Sequence, residues 1–339
     1  MSHSLKFGFV AAIVLCASAA HAAKPSADPI RPGFDEYTLA GNDDLSTGWV
    51  ELPFVVNFFG VEYDGLYINN NGNVTLDGIF WKYAPSSLDT VGFDIIAPFF
   101  GDVDTTFNSD PVTYGASELQ GHAAFGVNWV QVNCYHSLLH ANIHNSFQLV
   151  LLDRSDTGLG NFDIEFNYRQ IQWDSGQSVA GGGNSSCLGG SGAYAGYSTS
   201  TGEEGTYYEL PGSGVAGAFL DSGSTETSLV QNALNSDVAG RYVFYARSGV
   251  VQLCEDLDFD GVCDESDACA GTAEDELVDE SGCSIADYCP CEARWKTHGK
   301  YVQCVDRASE DFLEAGLITE AEQALMHSDA AQSSCGYRK

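Results

Sequence analysis

The residues best equipped for chemistry fall in one short stretch, Asp256-Leu257-Asp258-Phe259-Asp260-Gly261-Val262-Cys263-Asp264-Glu265-Ser266-Asp267. A calcium loop asks for hard oxygens at its first, third, fifth, ninth and twelfth places, a backbone carbonyl at the seventh, and glycine at the sixth for the tight turn. Asp256, Asp258, Asp260, Asp264 and Asp267 supply the carboxylates in that order, Val262 the carbonyl and Gly261 the turn. Five carboxylates packed around one point repel one another unless a divalent cation sits among them. The pattern therefore predicts a Ca2+ site. The competing reading is a solvated acidic linker, and the spacing together with the glycine argues against it. No Lys or Arg occurs between Arg247 and Arg294, which leaves the loop's charge for the ion.

Other groups promise less. Asp102 and Asp104 would share one face of a strand, because side chains alternate there, but two carboxylates specify no metal and hydrogen-bonded structural acids are the simpler expectation. Asp156-Thr157-Gly158, Asp174-Ser175-Gly176 and Asp221-Ser222-Gly223 each spell the triplet of an aspartic protease. Such an enzyme brings two carboxylates together to share a proton, whereas Asp156 follows polar residues and stands only 65 positions before Asp221. A secreted hydrolase is the alternative that this leaves, to be decided by whether those two carboxylates meet. His136, His140 and His144 would align on a helix, yet they sit between strand-like runs and read as a hairpin loop. H-E-x-x-H, G-x-S-x-G and a glycine-rich phosphate loop after a strand are all missing from the sequence, so a non-catalytic protein is expected.

Composition sets the setting. Among 339 residues, 14 Lys and Arg face 47 Asp and Glu for a formal charge of −33, which leaves no basic face for nucleic acid. With 44% hydrophobic and 12% aromatic residues, the chain can bury a sizeable core. Residues 1–23 read as a signal peptide, with an apolar stretch Phe7–Ala20 ending in small residues. No later segment suggests a membrane span. The expected location is secreted or cell-surface associated, with periplasmic retention left open. Setting aside Cys16 leaves ten of the 11 cysteines, an even number that suits disulfides in an exported chain. Cys134 and Cys187 pair by elimination, while the eight that crowd the last 86 residues allow 105 connectivities and are left unassigned.

The elements that must position these groups are strands. Phe147–Leu152 and Phe162–Tyr168 carry β-branched and aromatic residues between turn signals, and the second alternates cleanly. Asn69-Asn70-Asn71-Gly72-Asn73 separates two such runs as hairpin punctuation. An antiparallel sandwich or barrel follows. Near the end, Val302, Val305, Phe312 and Leu313 can share one side of a helix within 301–314, and Thr319-Glu320-Ala321-Glu322 forms a capping box for a second. Cys289-Pro290-Cys291 lacks the spacing of a thioredoxin-like site.

Several segments carry a family resemblance. Phe54–Gly60, then Leu66-Tyr67-Ile68-Asn69 with Asn71-Gly72, then Ile95-Ile96-Ala97-Pro98-Phe99-Phe100-Gly101-Asp102-Val103-Asp104 resemble a nidogen-type (NIDO) domain, and Asn128-Trp129, Tyr208–Ser213 and Gly240–Phe244 follow in family order. The resemblance covers roughly residues 35–247 and implies adhesion or matrix interaction. The acidic loop, bracketed by cysteines and ending in Asp267 where an EF-hand has Glu, resembles a thrombospondin type 3 repeat instead. The end of the chain is similar to a C-terminal element of exported bacterial proteins. The expected fold is thus mainly β: an antiparallel β-sandwich-like NIDO domain at 24–248 after the signal peptide at 1–23, then a small disulfide-rich calcium-binding repeat at 249–284 and a Cys-rich helical hairpin at 285–339. The expected function is a calcium-binding adhesion protein whose partner is an extracellular matrix or cell-surface protein or glycan. A structural surface or coat spacer is the remaining alternative.

Overall fold

A computed structural model describes residues 27–135, 143–177, 181–272 and 276–337. The expected signal peptide at 1–23 lies outside the described residues, as do His136 and His140. The chain opens with strands Tyr37–Leu39 (β1), Val50–Phe58 (β2), Val61–Asn69 (β3), Asn73–Thr75 (β4), Ile95–Phe100 (β5) and Val103–Asp104 (β6). Val112–Leu119 (β7), His122–Cys134 (β8), Asn145–Asp153 (β9) and Phe162–Gln170 (β10) follow. Tyr194–Ser198 (β11), Tyr207–Glu209 (β12), Arg241–Arg247 (β13) and Val250–Gln252 (β14) complete the strands. The named strands pair antiparallel. One sheet runs β1-β7-β8-β9-β10-β13-β14 with β6 beside β8, and the other runs β12-β11-β5-β4-β3-β2. This is the mainly β, antiparallel two-sheet body that the sequence predicts.

Alternation explains the core. Phe162, Ile164, Phe166 and Tyr168 of β10 all point inward and are fully buried. Between the sheets, Phe99 of β5 meets Phe147 of β9 with ring centroids 5.1 Å apart, and Trp129 of β8 stacks on Phe147 at 5.3 Å, adding pairwise attraction to the area they bury. The Trp129 indole N–H donates to the carbonyl of Asn70 at 3.0 Å.

The opposite face of β10 holds a surprise for a pattern reader. Asp163, Glu165 and Asn167, which alternation assigns to solvent, are buried as well. The causes are the segment around Pro29–Phe34, laid across the sheet at Glu165, and the guanidinium groups of Arg154, Arg241 and Arg247. Arg31 donates its backbone N–H to Gln148 Oε1 at 3.0 Å and grips Glu165 with two guanidinium hydrogen bonds of 2.8 Å each. Phe34 settles on Gly126, where a side chain would collide with the ring. Arg241 meets Glu165 at 3.3 Å and Arg247 meets Asp163 at 2.8 Å.

The β3–β4 hairpin forms where the asparagine run places it. Gly72 sits there at φ +75°, and a Cβ on it would lie 1.9 Å from the carbonyl oxygen of Phe99. Both the left-handed backbone and the close approach demand glycine.

Beyond the body, Ile285–Tyr288 (α1), His298–Glu314 (α2) and Glu320–Gln332 (α3) form the helical part. α2 buries Val305 and Phe312 as its periodicity predicts, though it begins three residues before Tyr301. Thr319 and Glu322 make the reciprocal capping box that starts α3. The disulfides are Cys134–Cys187, as elimination suggested, then Cys254–Cys263, Cys269–Cys283, Cys289–Cys304 and Cys291–Cys335. The two cysteines of the Cys-Pro-Cys motif thus bond to different partners, and each is structural.

Gly72→Ala is expected to lower the unfolding free energy by at least about 2 kcal/mol, since it adds backbone strain to a clash in the core. A urea titration followed by tryptophan fluorescence measures it.

Candidate metal centre

The acidic stretch after β14 folds as a string of turns in which Asp256, Asp260 and Asp267 cap backbone ahead of them. Asp256 accepts from the amides of Phe259 at 2.9 Å and Gly261 at 3.1 Å, and Asp260 accepts from Val262 at 2.8 Å. Gly261 takes φ +93° with open space where its side chain would be, so glycine serves the turn and not a close contact. These turns bring one oxygen each from Asp256, Asp258 and Asp260 within 4.8 Å of one another.

Asp267 reaches the same place from the far side. Its Oδ1 accepts from the Cys269 amide at 2.7 Å. A Cβ built on Gly282 would meet that oxygen at 2.1 Å and Asp260 Oδ2 at 3.2 Å, so Asp260 and Asp267 converge on one small hollow beside a glycine. Asp258 Oδ1, Asp260 Oδ2 and Asp267 Oδ2 are buried there with no hydrogen-bond donor. Buried carboxylate oxygens without a donor are costly unless a cation serves them. The donor set therefore suits a hard divalent ion such as Ca2+. Burial, with Asp258 and Asp260 nearby, raises the Asp256 pKa; burial, with Asp258, Asp267 and Asp287 nearby, raises that of Asp260.

The remaining residues of the loop stand differently. Asp264 turns back on the chain: its Oδ1 accepts from the Leu257 amide at 2.9 Å and its own amide donates to the Glu255 carbonyl at 2.8 Å. Val262 gives its amide to Asp260. Cys254–Cys263 closes the loop, and Cys269–Cys283 fastens the Gly282 side. Glu255, one residue before the first acid, meets the buried guanidinium of Arg247 at 2.8 Å, which ties the loop to the end of β13. Nothing in the spacing of the sequence announces that link.

A second acidic group lies on the β body. Asp102 gathers with Asp43 and Asp44, their oxygens within 4.8 Å, while Asp104 spends Oδ1 on the Thr106 amide at 2.8 Å. Asp43 and Asp44 come from a turn that bridges to Asp104, a contact too distant in the chain for spacing to reveal. Burial, with Asp44 and Asp104 adding repulsion, pushes the Asp43 pKa up to about 6.

The protease geometry does not form. Asp156 is exposed in the turn before β10 and pairs with Arg154 at 3.1 Å, whereas Asp221 accepts from the Ile171 amide just past the other end of that strand. Nine extended residues separate those ends, about 30 Å. Asp174 is buried elsewhere and accepts from the Gly217 amide. His144 contacts the Asn108 carbonyl at 2.8 Å in the loop before β9.

Two packed antiparallel sheets carrying a disulfide-stapled acidic appendage define a β-sandwich module, and no helix among the described residues is long and apolar enough to cross a membrane. Residues 111–248 match the nidogen-like domain family. Alpha-tectorin of Mus musculus is 30% identical over 228 residues, covering 60% of this chain and 10% of the relative, and alpha-tectorin of Homo sapiens matches equally. Nidogen of Drosophila melanogaster is 25% identical over 214 residues, covering 55% of this chain and 15% of the relative. The chain therefore spans only 10% to 15% of the length of these relatives. No solved structure matches it.

The raised Asp43 pKa fixes a sign. The folded state binds that proton more tightly than the unfolded chain, so Asp43 costs stability increasingly as pH climbs from the ordinary value of 3.8 through about 6. Asp43→Asn is therefore expected to raise the melting temperature by a few degrees near pH 7.5, a gain that fades toward about pH 4. Thermal scans of both proteins across pH test this.

Proposed function

We propose that this is an exported, calcium-stabilised adhesion or matrix-interaction protein without catalytic activity. The nidogen-like domain supports the extracellular, matrix-type setting, and five disulfides suit an oxidising compartment. Within it, the β body at 24–248 carries the recognition surface, the repeat at 249–284 holds Ca2+, and the helical element at 285–339 completes the tail. Residues 1–23 direct export.

One observation supports the calcium reading above the rest: the three buried carboxylate oxygens of Asp258, Asp260 and Asp267 that no donor serves. In this reading Asp256, Asp258, Asp260 and Asp267 bind the ion directly. Val262 and Asp264 complete the loop, the latter through water as the ninth place often does. The ion neutralises the acids, so that folding of the tail is coupled to extracellular calcium. At the affinities usual for extracellular modules, dissociation constants of about 10⁻⁴–10⁻³ M are expected.

Asp260→Ala is expected to abolish calorimetric calcium uptake by the tail; unchanged uptake would refute the loop assignment. Calcium at about 1 mM, the upper end of the range for extracellular modules, is also expected to slow proteolysis of the wild-type tail. A digestion rate indifferent to the ion would remove the rigidifying role.

A further inference from the structure

At one end of the second sheet, the segment of residues 44–49 lies against the segment of residues 79–83. Large apolar side chains stand outward on both: Leu45 is 61% exposed, Trp49 47%, Ile79 44%, Trp81 70% and Tyr83 39%. Two buried asparagines hold the segments side by side. Asn69 Oδ1 accepts from Ser46 Oγ at 2.6 Å and from the Phe80 amide at 3.3 Å. Asn71 Nδ2 donates to Asp44 Oδ1 at 2.8 Å and to the Lys82 carbonyl at 3.3 Å. Phe80 is buried, which leaves its neighbours Ile79 and Trp81 outside. Trp49 lies over Gly65, where any side chain would strike the indole, and makes a T-shaped contact with Tyr67, ring centroids 5.4 Å apart. The aromatic face is thus built on a fixed backbone, and little ordering entropy remains to oppose binding.

Folding gains nothing from leaving these rings in water. Exposed apolar patches rimmed by polar groups mark interaction surfaces, and Trp and Tyr are the residues that carry binding energy in them. The rim here is acidic. Asp43 and Asp44 border the patch, and Asp104 bridges to Asp43. Lys82 turns its ammonium to Ser86 Oγ at 2.8 Å. A chain of charge −33 repels anionic ligands and draws cationic ones. Ammonium and guanidinium groups also bind over indole faces, so rings and rim select the same chemistry.

We propose that this face docks a basic protein segment, its Lys or Arg side chains lying over Trp81 and Trp49 and ending on the Asp43 and Asp44 carboxylates. The proposal rests on the reading of the β body as the recognition part and names the chemistry of its partner.

The test uses the full chain on a biosensor surface and two probes, a short synthetic peptide alternating Arg and Ser, and its twin with citrulline in place of Arg. The Arg peptide is expected to bind and the citrulline peptide not. Trp81→Ala, at an exposed site that folding does not need, is expected to weaken the Arg peptide about tenfold. The double change Asp43→Asn with Asp44→Asn is expected to weaken it as much, because asparagine keeps the acceptor for Asn71. Glu310→Gln with Glu314→Gln removes the same charge from exposed positions on α2 and is expected to shift affinity by less than about twofold. Wild-type affinity in Trp81→Ala, or an equal loss in the α2 variant, would overturn the proposal, since binding would then be diffuse attraction to net charge. Absence of peptide binding with retained capture of matrix fractions would overturn this partner chemistry alone. Loss of both would remove the recognition reading with it.

Discussion

Each arginine of the β body is committed to a carboxylate, and the shape of the body depends on those commitments. Arg31 and Arg241 share Glu165, Arg154 and Arg247 share Asp163, and Arg169 holds Asp28. Taking a carboxylate out of water is expensive unless a partner and further hydrogen bonds meet it. Burial pushes the Asp163 pKa up even against the pull of Arg247 and Arg154. Without the guanidinium groups, the outer face of β10 would have to stay wet, and the segment around Arg31 could not lie over it. The arrangement turns a one-sided sheet into a central layer.

The same scarcity of cations shapes the tail. With no Lys or Arg from 248 to 293, its acids beyond Glu255, which reaches back to Arg247, have only backbone amides, hydroxyls and one another. Most are consumed as turn caps: Asp279 takes Ser281 and the Tyr288 hydroxyl, and Asp287 takes Ser284 and Thr272. These bonds lower the pKa of both. What is left over after capping is the convergent set near Gly282. Carboxylate oxygens of one chemistry thus divide into those with donors and those without, often on the same side chain, and chain geometry makes the division.

How far the sequence could be read follows from the range of each interaction. The Asn-Gly hairpin, the inward residues of β10, the α3 capping box and the side of α2 that packs are decided within a few residues, and their signals are local. The order of glycine and acids from Asp256 to Gly261 is equally local. Burial of Glu165 depends on a strap more than a hundred residues away in sequence, and Asp163 meets Arg247 from 84 residues on, so alternation alone assigns both to water. Asp102 keeps company with Asp43 and Asp44 because a turn earlier in the chain folds back to it. Bridges among eight cysteines are likewise settled by tertiary approach, which spacing does not encode. In the sequence Glu255 is one acid among many; its grip on Arg247 exists only once β13 and β14 have paired.

The order of the tail's bridges bears on how it transmits a pull. Cys254–Cys263, Cys269–Cys283 and Cys291–Cys335 lie one after another and short-circuit 9, 14 and 44 residues. A fully reduced strand from Cys254 to Cys335 could stretch to about 280 Å at roughly 3.4 Å per residue. Oxidised and unravelled, the same stretch has only its short spacers to give, on the order of 60 Å with the bridges included. Stapled in series, the appendage behaves as a leash of short reach, and a load applied past the last helix arrives at β14 after roughly a fifth of the extension that the reduced strand would allow.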